Sequence, residues 1–297
     1  MEKSKKTSCN FKIYAIMEKK GGFSMFRNIG FLVLLCLSFF FFSSIVSAAE
    51  PHELTPEELN YLYNELGFTE EQIALSPVSD LKDLVAGEAE TVMSFDEEYD
   101  MENTSSKNTS SKNFSTLAAI PSADLSFSGR ILKIATSDVS GYDKYYSSAT
   151  FRWLNHPAFN LTDKMTIGFP SSLGVFFKTS SGNIVGHYST TTLYNKSTGG
   201  STVLASSTTP STWQPALGVA SAHNLRTTLN SNQNNAGQVS QYFYVKSSLA
   251  GNANVQFQYG HKRISGTVGI TFGTSPGIGI TPSTTTDIRS YAGQFSY

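Results

Sequence analysis

From Leu117 onward, apolar and polar positions alternate. Tyr145, Ser147, Ala149, Phe151 and Trp153 take every second place against Tyr146, Ser148, Thr150, Arg152 and Leu154. Val255, Phe257 and Tyr259 do the same against Asn254, Gln256 and Gln258. Successive side chains of a strand point to opposite faces, so this spacing predicts half-buried β-strands. RILKIAT, GVFFKTS, NIVGHYST, QYFYVK, GTVGITFG and GIGITP repeat the pattern, separated by polar breaks such as NKSTGGST and NSNQNNAG. With no long amphipathic helix in competition, residues 117–297 read as a mainly β domain. The expected architecture is an antiparallel β-sandwich of roughly 8 to 11 strands.

Residues 50–102 follow a helical period instead. Thr55-Pro56-Glu57-Glu58 is a capping box with proline at the first helical position, after which Leu59, Leu62, Tyr63 and Leu66 recur until Gly67. Thr69-Glu70-Glu71-Gln72 repeats the capping arrangement. Ser76-Pro77 opens a third helix with Val78, Leu81, Leu84 and Val85 on one face and Gly87 at its end. Three short helices, about 40 residues, are near the lower limit for folding unaided, so this unit is expected to lean on something. Its Leu66-Gly67-Phe68 turn resembles the loop of ubiquitin-associated-type three-helix modules, a likeness from which no binding residues are carried over. The segment also resembles pro-regions of uncharacterised secreted proteins of Gram-positive bacteria, which implies export but no activity.

The apolar run IGFLVLLCLSFFFFSSIV, residues 29–46, follows Arg27 and precedes Ser47-Ala48-Ala49. That is the order of a secretory signal peptide, expected over residues 25–49; an uncleaved anchor is the alternative. Lys20-Gly21-Gly22 is what a purine-rich ribosome-binding sequence would encode if translated, so residues 1–24 are expected to be a leader outside the product. Export would remove both cysteines, Cys9 and Cys36, leaving core burial to hold the mature chain. The closing GQFSY resembles a membrane barrel's last strand, but this signal and the short polar turns argue against that class.

Charge divides the chain further. Residues 50–102 carry sixteen Asp and Glu against Lys82, a net of −15, while residues 117–297 carry twelve Lys and Arg against five Asp, a net of +7. Between them, residues 103–116 hold Asn-Thr-Ser-Ser-Lys twice in tandem and read as a flexible linker.

Signatures of catalysis are scarce. Gly273-Thr274-Ser275-Pro276-Gly277 matches Gly-x-Ser-x-Gly, but strand-like residues follow it and no histidine lies downstream, so Ser275 reads as a turn residue. None of the five aspartates Asp124, Asp138, Asp143, Asp163 and Asp287 falls in an apolar strand by pattern, which leaves no carboxylate pair for glycoside hydrolysis. His156, His187, His223 and His261 lack zinc-ligand spacing. Asp138 and Asp143 flank a glycine turn and make a weak calcium candidate against a plain Asx turn.

Cations beside aromatic rings are the remaining chemistry. Tyr142, Lys144, Tyr145, Tyr146, Arg152, Lys246, Lys262 and Arg263 are the candidate ligand-binding residues, suited to sugars, polyanions or lipid headgroups. The expected function is a secreted, non-enzymatic sandwich that binds anionic wall polymer, matrix polysaccharide or a membrane surface, with the acidic segment as an intramolecular partner masking the basic face. Neither cofactor nor nucleic acid is expected. A membrane-active toxin or antibacterial protein with an inhibitory acidic pro-region is the first alternative, and a hydrolase with an unrecognised site the second.

Overall fold

The capping spacing at Thr55 becomes geometry: its hydroxyl accepts from Glu58 N at 3.2 Å, and Glu58 Oε2 accepts from Thr55 N at 2.7 Å. The computed structural model describes residues 53–96 and 119–297, apart from 160, 228 and 274–276. The expected leader, signal peptide and linker, and Ser275, lie outside the described residues. Helix α1 (Pro56–Asn64) starts from that box, and α2 (Glu70–Leu75) starts from the same exchange between Thr69 and Gln72. Between them Gly67 sits at φ 68°, a left-handed conformation open to glycine at little cost, and lets Phe68 N reach Leu62 O at 2.9 Å. Helix α3 (Val78–Ala86) differs from expectation at its start, where Pro77 is the N-cap with no side-chain bond. Ser76 is engaged elsewhere: its hydroxyl donates to Gln72 O at 2.8 Å and accepts from Gln238 Nε2 at 2.9 Å.

Directly after α3 the chain enters a strand that the residue pattern did not reveal, β1 (Glu90–Asp96). It is followed by β2 (Leu125–Ile134), β3 (Tyr142–Trp153), β4 (Thr162–Gly168), β5 (Thr179–Ser180), β6 (Asn183–Ile184), β7 (His187–Asn195), β8 (Ser201–Ser207) and β9 (Thr212–Gln214). The remaining strands are β10 (Gly218–Asn224), β11 (Gln233–Lys246), β12 (Asn252–Lys262), β13 (Ile270–Phe272), β14 (Ile278–Ile280) and β15 (Thr286–Ser296). Two antiparallel sheets form the sandwich, six strands in the order β1-β2-β3-β11-β7-β8 and five in the order β15-β12-β4-β10-β9. Strands β13 and β14 pair as a hairpin around residues 274–276, so the stretch after Gly277 is a strand and not the helix that a nucleophile elbow requires.

The alternation in β3 sorts its side chains as predicted. Tyr145, Ala149, Phe151 and Trp153 enter the core between the sheets with Phe127, Ile131, Val239, Phe243, Met165, Ile167, Phe257 and Tyr259. Tyr146 points the other way, into a second apolar cluster with Leu132, Ile134 and Tyr242 of the same sheet and Leu62, Leu66, Phe68, Leu81, Leu84 and Ala89 of the acidic segment. The three helices thus lie on the outer face of the six-stranded sheet. β1 completes the attachment: it pairs with β2, and Phe95 stacks on Tyr291 of the opposite sheet with centroids 3.8 Å apart. Gly129, opposite Phe95, makes room for this ring, since a Cβ there would stand 2.6 Å from it.

Arg130 rivets the helices to the sheet. It is 5% exposed, lies 4.0 Å over the Phe68 ring, and donates to Leu66 O at 2.8 Å, to Gly67 O at 3.1 Å and to Gln72 Oε1. Leu66 and Gly67 follow the C-terminus of α1, where the helix dipole favours a cation. Burial lowers the Arg130 pKa to about 10, which still leaves it charged at neutral pH.

Both tryptophans, Trp153 and Trp213, lie in the sandwich, so their fluorescence reports its unfolding and not that of the helices. Leu84→Ala should nevertheless lower the stability read from tryptophan fluorescence in urea by about 2–5 kcal/mol, because it hollows a cluster shared with the sheet. An unchanged midpoint would mean that the helices unfold independently of the sandwich.

Candidate functional site

Three of the eight candidate residues meet at one end of the sandwich. The register of β3 and β11 sets Tyr142 opposite Lys246 and Lys144 opposite Tyr244. Beyond the start of β7, the segment at Phe176 takes over the pairing with β11: Phe176 N donates to Tyr244 O, and Tyr244 N to Phe176 O, each at 2.9 Å. The Phe176 ring, 39% exposed, stands 5.6 Å from Tyr142 and 5.9 Å from Tyr244. Lys144 Nζ lies 4.7 Å over the Tyr242 ring, a cation–π contact.

At the centre of this cluster is Asp138, from the turn between β2 and β3. Lys178 Nζ is 2.7 Å from Oδ2, Lys144 Nζ is 3.6 Å from Oδ1, and the Tyr244 hydroxyl donates to Oδ1 at 2.8 Å. The Lys178 bond, then the Tyr244 hydroxyl and the Lys144 charge, hold its carboxyl well below the usual range against a desolvation effect that would raise it. Asp143 is also lowered, by the Ser247 hydroxyl at 2.6 Å and by Lys133 at 2.9 Å. Each of the two carboxylates flanking the Gly141 turn, Asp138 and Asp143, is thus engaged by a lysine of its own. The end of the sheet brings Tyr142, Phe176 and the buried Tyr244 together with Lys144 and Lys178 on one aspartate, and with Lys246 opposite Tyr142. Phe176 and Lys178 belong to GVFFKTS, whose pattern predicts a strand but carries no signal of their approach to Tyr142.

The other candidates disperse. Tyr145 is fully buried, its ring 5.1 Å from Phe243, and Tyr146 is fully buried against Tyr242 at 5.0 Å. Neither ring reaches the surface, because adjacent strand positions face two different cores. Arg152 lies at the far end of β3, ten residues or roughly 33 Å from Tyr142. There it pairs with Glu71 at 2.7 Å and stacks 4.6 Å from the Tyr194 ring. Lys262 and Arg263 belong to the end of the five-stranded sheet, where Lys262 Nζ donates to Thr285 Oγ1 at 2.6 Å and Arg263 Nε is 3.1 Å from Asp287.

A polar set that the sequence reading missed lies between the sheets. Asp163 belongs to a core-facing alternation with Met165 and Ile167 in β4, and all three are fully buried. This corrects the expectation that no aspartate occupies an apolar strand. Its carboxylate accepts from the Tyr259 hydroxyl, from His261 Nδ1 at 2.9 Å and from Lys262 N at 3.3 Å, while Trp153 Nε1 donates to the Tyr259 oxygen at 2.9 Å. Burial pushes the Asp163 carboxyl up, and the donors oppose that shift. Beside it, His187 bridges Ser221 at 2.8 Å and Gln241 at 3.2 Å, and His223 Nδ1 meets Thr191 Oγ1 at 3.1 Å. Desolvation lowers His187 to about 4 and His223 to about 3, so both are neutral at pH 7.

No family model matches the chain, and no curated protein does. Among solved structures with a detectable likeness is one described as "Pore forming protein", 7% identical, covering 59% of this chain and 88% of that chain with a TM-score of 0.30. A likeness of that extent carries no conclusion about activity.

The buried histidines set a pH dependence. Their folded pKa values lie below the unfolded value near 6.5, so the unfolded chain takes up protons first as pH falls through that value, and stability falls with it. Asp80 opposes this: burial, then Asp83, raises it to about 6, so the folded state gains a proton before the unfolded one does. His187→Gln should therefore lose less stability than the native chain between about pH 7.5 and 5, measured as urea midpoints. Equal losses would mean that His187 is not held neutral.

Proposed function

We propose that the protein is a secreted binding module whose aromatic and basic end grips an anionic polymer of the cell envelope or matrix. The observation that carries this reading is the convergence of Tyr142, Phe176 and Tyr244 with Lys144, Lys178 and Lys246, of which Phe176, Lys178 and Lys246 are exposed. Ring faces suit the apolar faces of sugars, and lysines suit phosphate or carboxylate groups repeated along a chain. Asp138 supports the arrangement by holding Lys144 and Lys178 in place.

The acidic helices act in this reading as a cover on the neighbouring face. Glu71 occupies Arg152, the carbonyls after α1 occupy Arg130, and the Lys144 charge lies close enough to Asp80 to stabilise its carboxylate. Removing the segment outright is a poor test of masking, because it would also remove β1 and bare Leu132, Ile134, Tyr146 and Tyr242.

Single-residue variants of the mature chain test the site itself. Phe176→Ala and Lys178→Ala should each weaken binding to purified wall teichoic acid by roughly tenfold at low salt, and added salt should weaken the native protein's binding. Unchanged affinity in both variants would remove the cluster from the reading. Dye release from anionic vesicles without retention on the polymer would favour the membrane-active alternative.

A further inference from the structure

At the end of β3 opposite the basic cluster, eleven residues or roughly 36 Å from Tyr142, the sandwich opens into a recess of about 240 Å³. Trp153 and His261 form its floor, and residues 119–121, 124, 155–159, 263 and 287 form its rim. We infer that this recess binds a single neutral sugar ring, independently of the polymer site proposed above.

The polar groups on the rim are oriented but not used up. Asn155 Nδ2 donates to Asp124 Oδ1 at 2.8 Å, and Asp124 Oδ2 has no partner among the described residues. Arg263 and Asp287, ion-paired at 3.1 Å, also line the recess. His261 bonds through Nδ1 to the buried Asp163, which fixes the ring of this lining residue, and no described residue bonds its Nε2. Polar atoms held rigidly by one bond and lacking a second suit a ligand with hydroxyls all round its edge, each able to donate and accept.

The apolar part of the site has the complementary shape. Phe159 is 50% exposed beside the opening, an aromatic face with no ring contact among the described residues. The Trp153 ring, 4.9 Å from His261, closes the floor and is held by its bond to Tyr259. One face of a pyranose is C–H and apolar and its rim is hydroxyl, so it matches a Phe face and a ring of carboxylate, amide, imidazole and guanidinium groups. The volume falls below the roughly 300–1,000 Å³ of sites for drug-sized ligands, which fits one ring and not an extended chain.

Charge selects against an acidic sugar. Asp124 and Asp287 face the opening against Arg263 alone, and a uronate carboxylate would add a third negative group.

Tryptophan fluorescence of the mature chain, followed by saturation-transfer NMR, provides the test, with methyl β-D-glucopyranoside, methyl β-D-galactopyranoside and N-acetyl-D-glucosamine as probes and D-glucuronate as the acidic comparison. At least one neutral sugar should saturate with a Kd of about a millimolar, as a ligand of that size allows. Phe159→Ala, a change at an exposed ring, should raise that Kd roughly fivefold or more. Asp287→Asn should narrow the preference for the neutral sugar over glucuronate. Lys178→Ala should leave the sugar response intact, which separates failure here from failure of the polymer site. No saturation by any of the three up to roughly 50 mM, or saturation indifferent to Phe159→Ala, would overturn the inference.

Discussion

The antiparallel pairing of β3 with β11, continuous from Arg152 opposite Ala236 to Tyr142 opposite Lys246, is the constraint from which the rest of the structure follows. Both strands are central in their sheet, and both of their faces are covered. One face carries Tyr145, Ala149, Phe151, Val239 and Phe243 toward the second sheet; the other carries Tyr146 and Tyr242 outward together with Leu132 and Ile134 of β2. A sandwich sheet ordinarily meets water on its outer side. This one cannot do so without baring that cluster, and the acidic helices are what cover it.

The cover is not made of apolar contact alone. Ser128, Ser148, Thr150, Gln238 and Ser240 line the buried sheet face, and Gln72, Ser76 and Arg130 cross between helices and sheet. Such an interface draws much of its specificity from hydrogen-bond geometry, since a buried polar group left unpaired costs more than a paired one contributes. A three-helix unit too small to fold well by itself gains a fixed position this way, and the opposite net charges of the two segments favour the same docking. The charge asymmetry in the sequence is thus partly consumed within the molecule, by pairs such as Glu71 with Arg152. The cations that face solvent at the Lys144, Lys178 and Lys246 end are a smaller set than the net charge of +7 suggests.

The ends of the sandwich differ in chemistry because the central strands change character along their length. At the start of β3, Tyr142 and Lys144 meet Tyr244 and Lys246, and the aromatic–cation pattern is basic. At its other end Trp153 joins Tyr259, Asp163 and His261, a hydrogen-bonded set packed between the sheets beneath the recess, with carboxylates at its rim. A proposed anionic ligand at the first end and a proposed neutral one at the second are the two readings that these fields favour.

Much of the secondary structure was legible in residue order alone, because capping and alternation are local. Thr55 and Thr69 announce α1 and α2 through side chains three residues apart, and the Tyr145 to Trp153 alternation announces which residues of β3 enter the core. β1 escaped notice because a register shift between Thr91 and Met93 breaks the alternation of a short strand, and β4 because Asp163 stands where an apolar residue was expected. Of the candidate site, Tyr142, Lys144 and Lys246 were identified and Phe176, Lys178 and Asp138's role as their anchor were not. The sequence by itself determined which residues could form helices and strands, which segments carried which charge, and which rings stood beside cations. Only the tertiary structure decided which of those rings reach the surface, since Tyr145 and Tyr146 are neighbours in the chain but lie in different cores. It also decided which charges stay free, since Arg130 and Arg152 are held by residues some sixty to eighty positions away. Strand register and layer packing bring such distant groups together, and no local period encodes them.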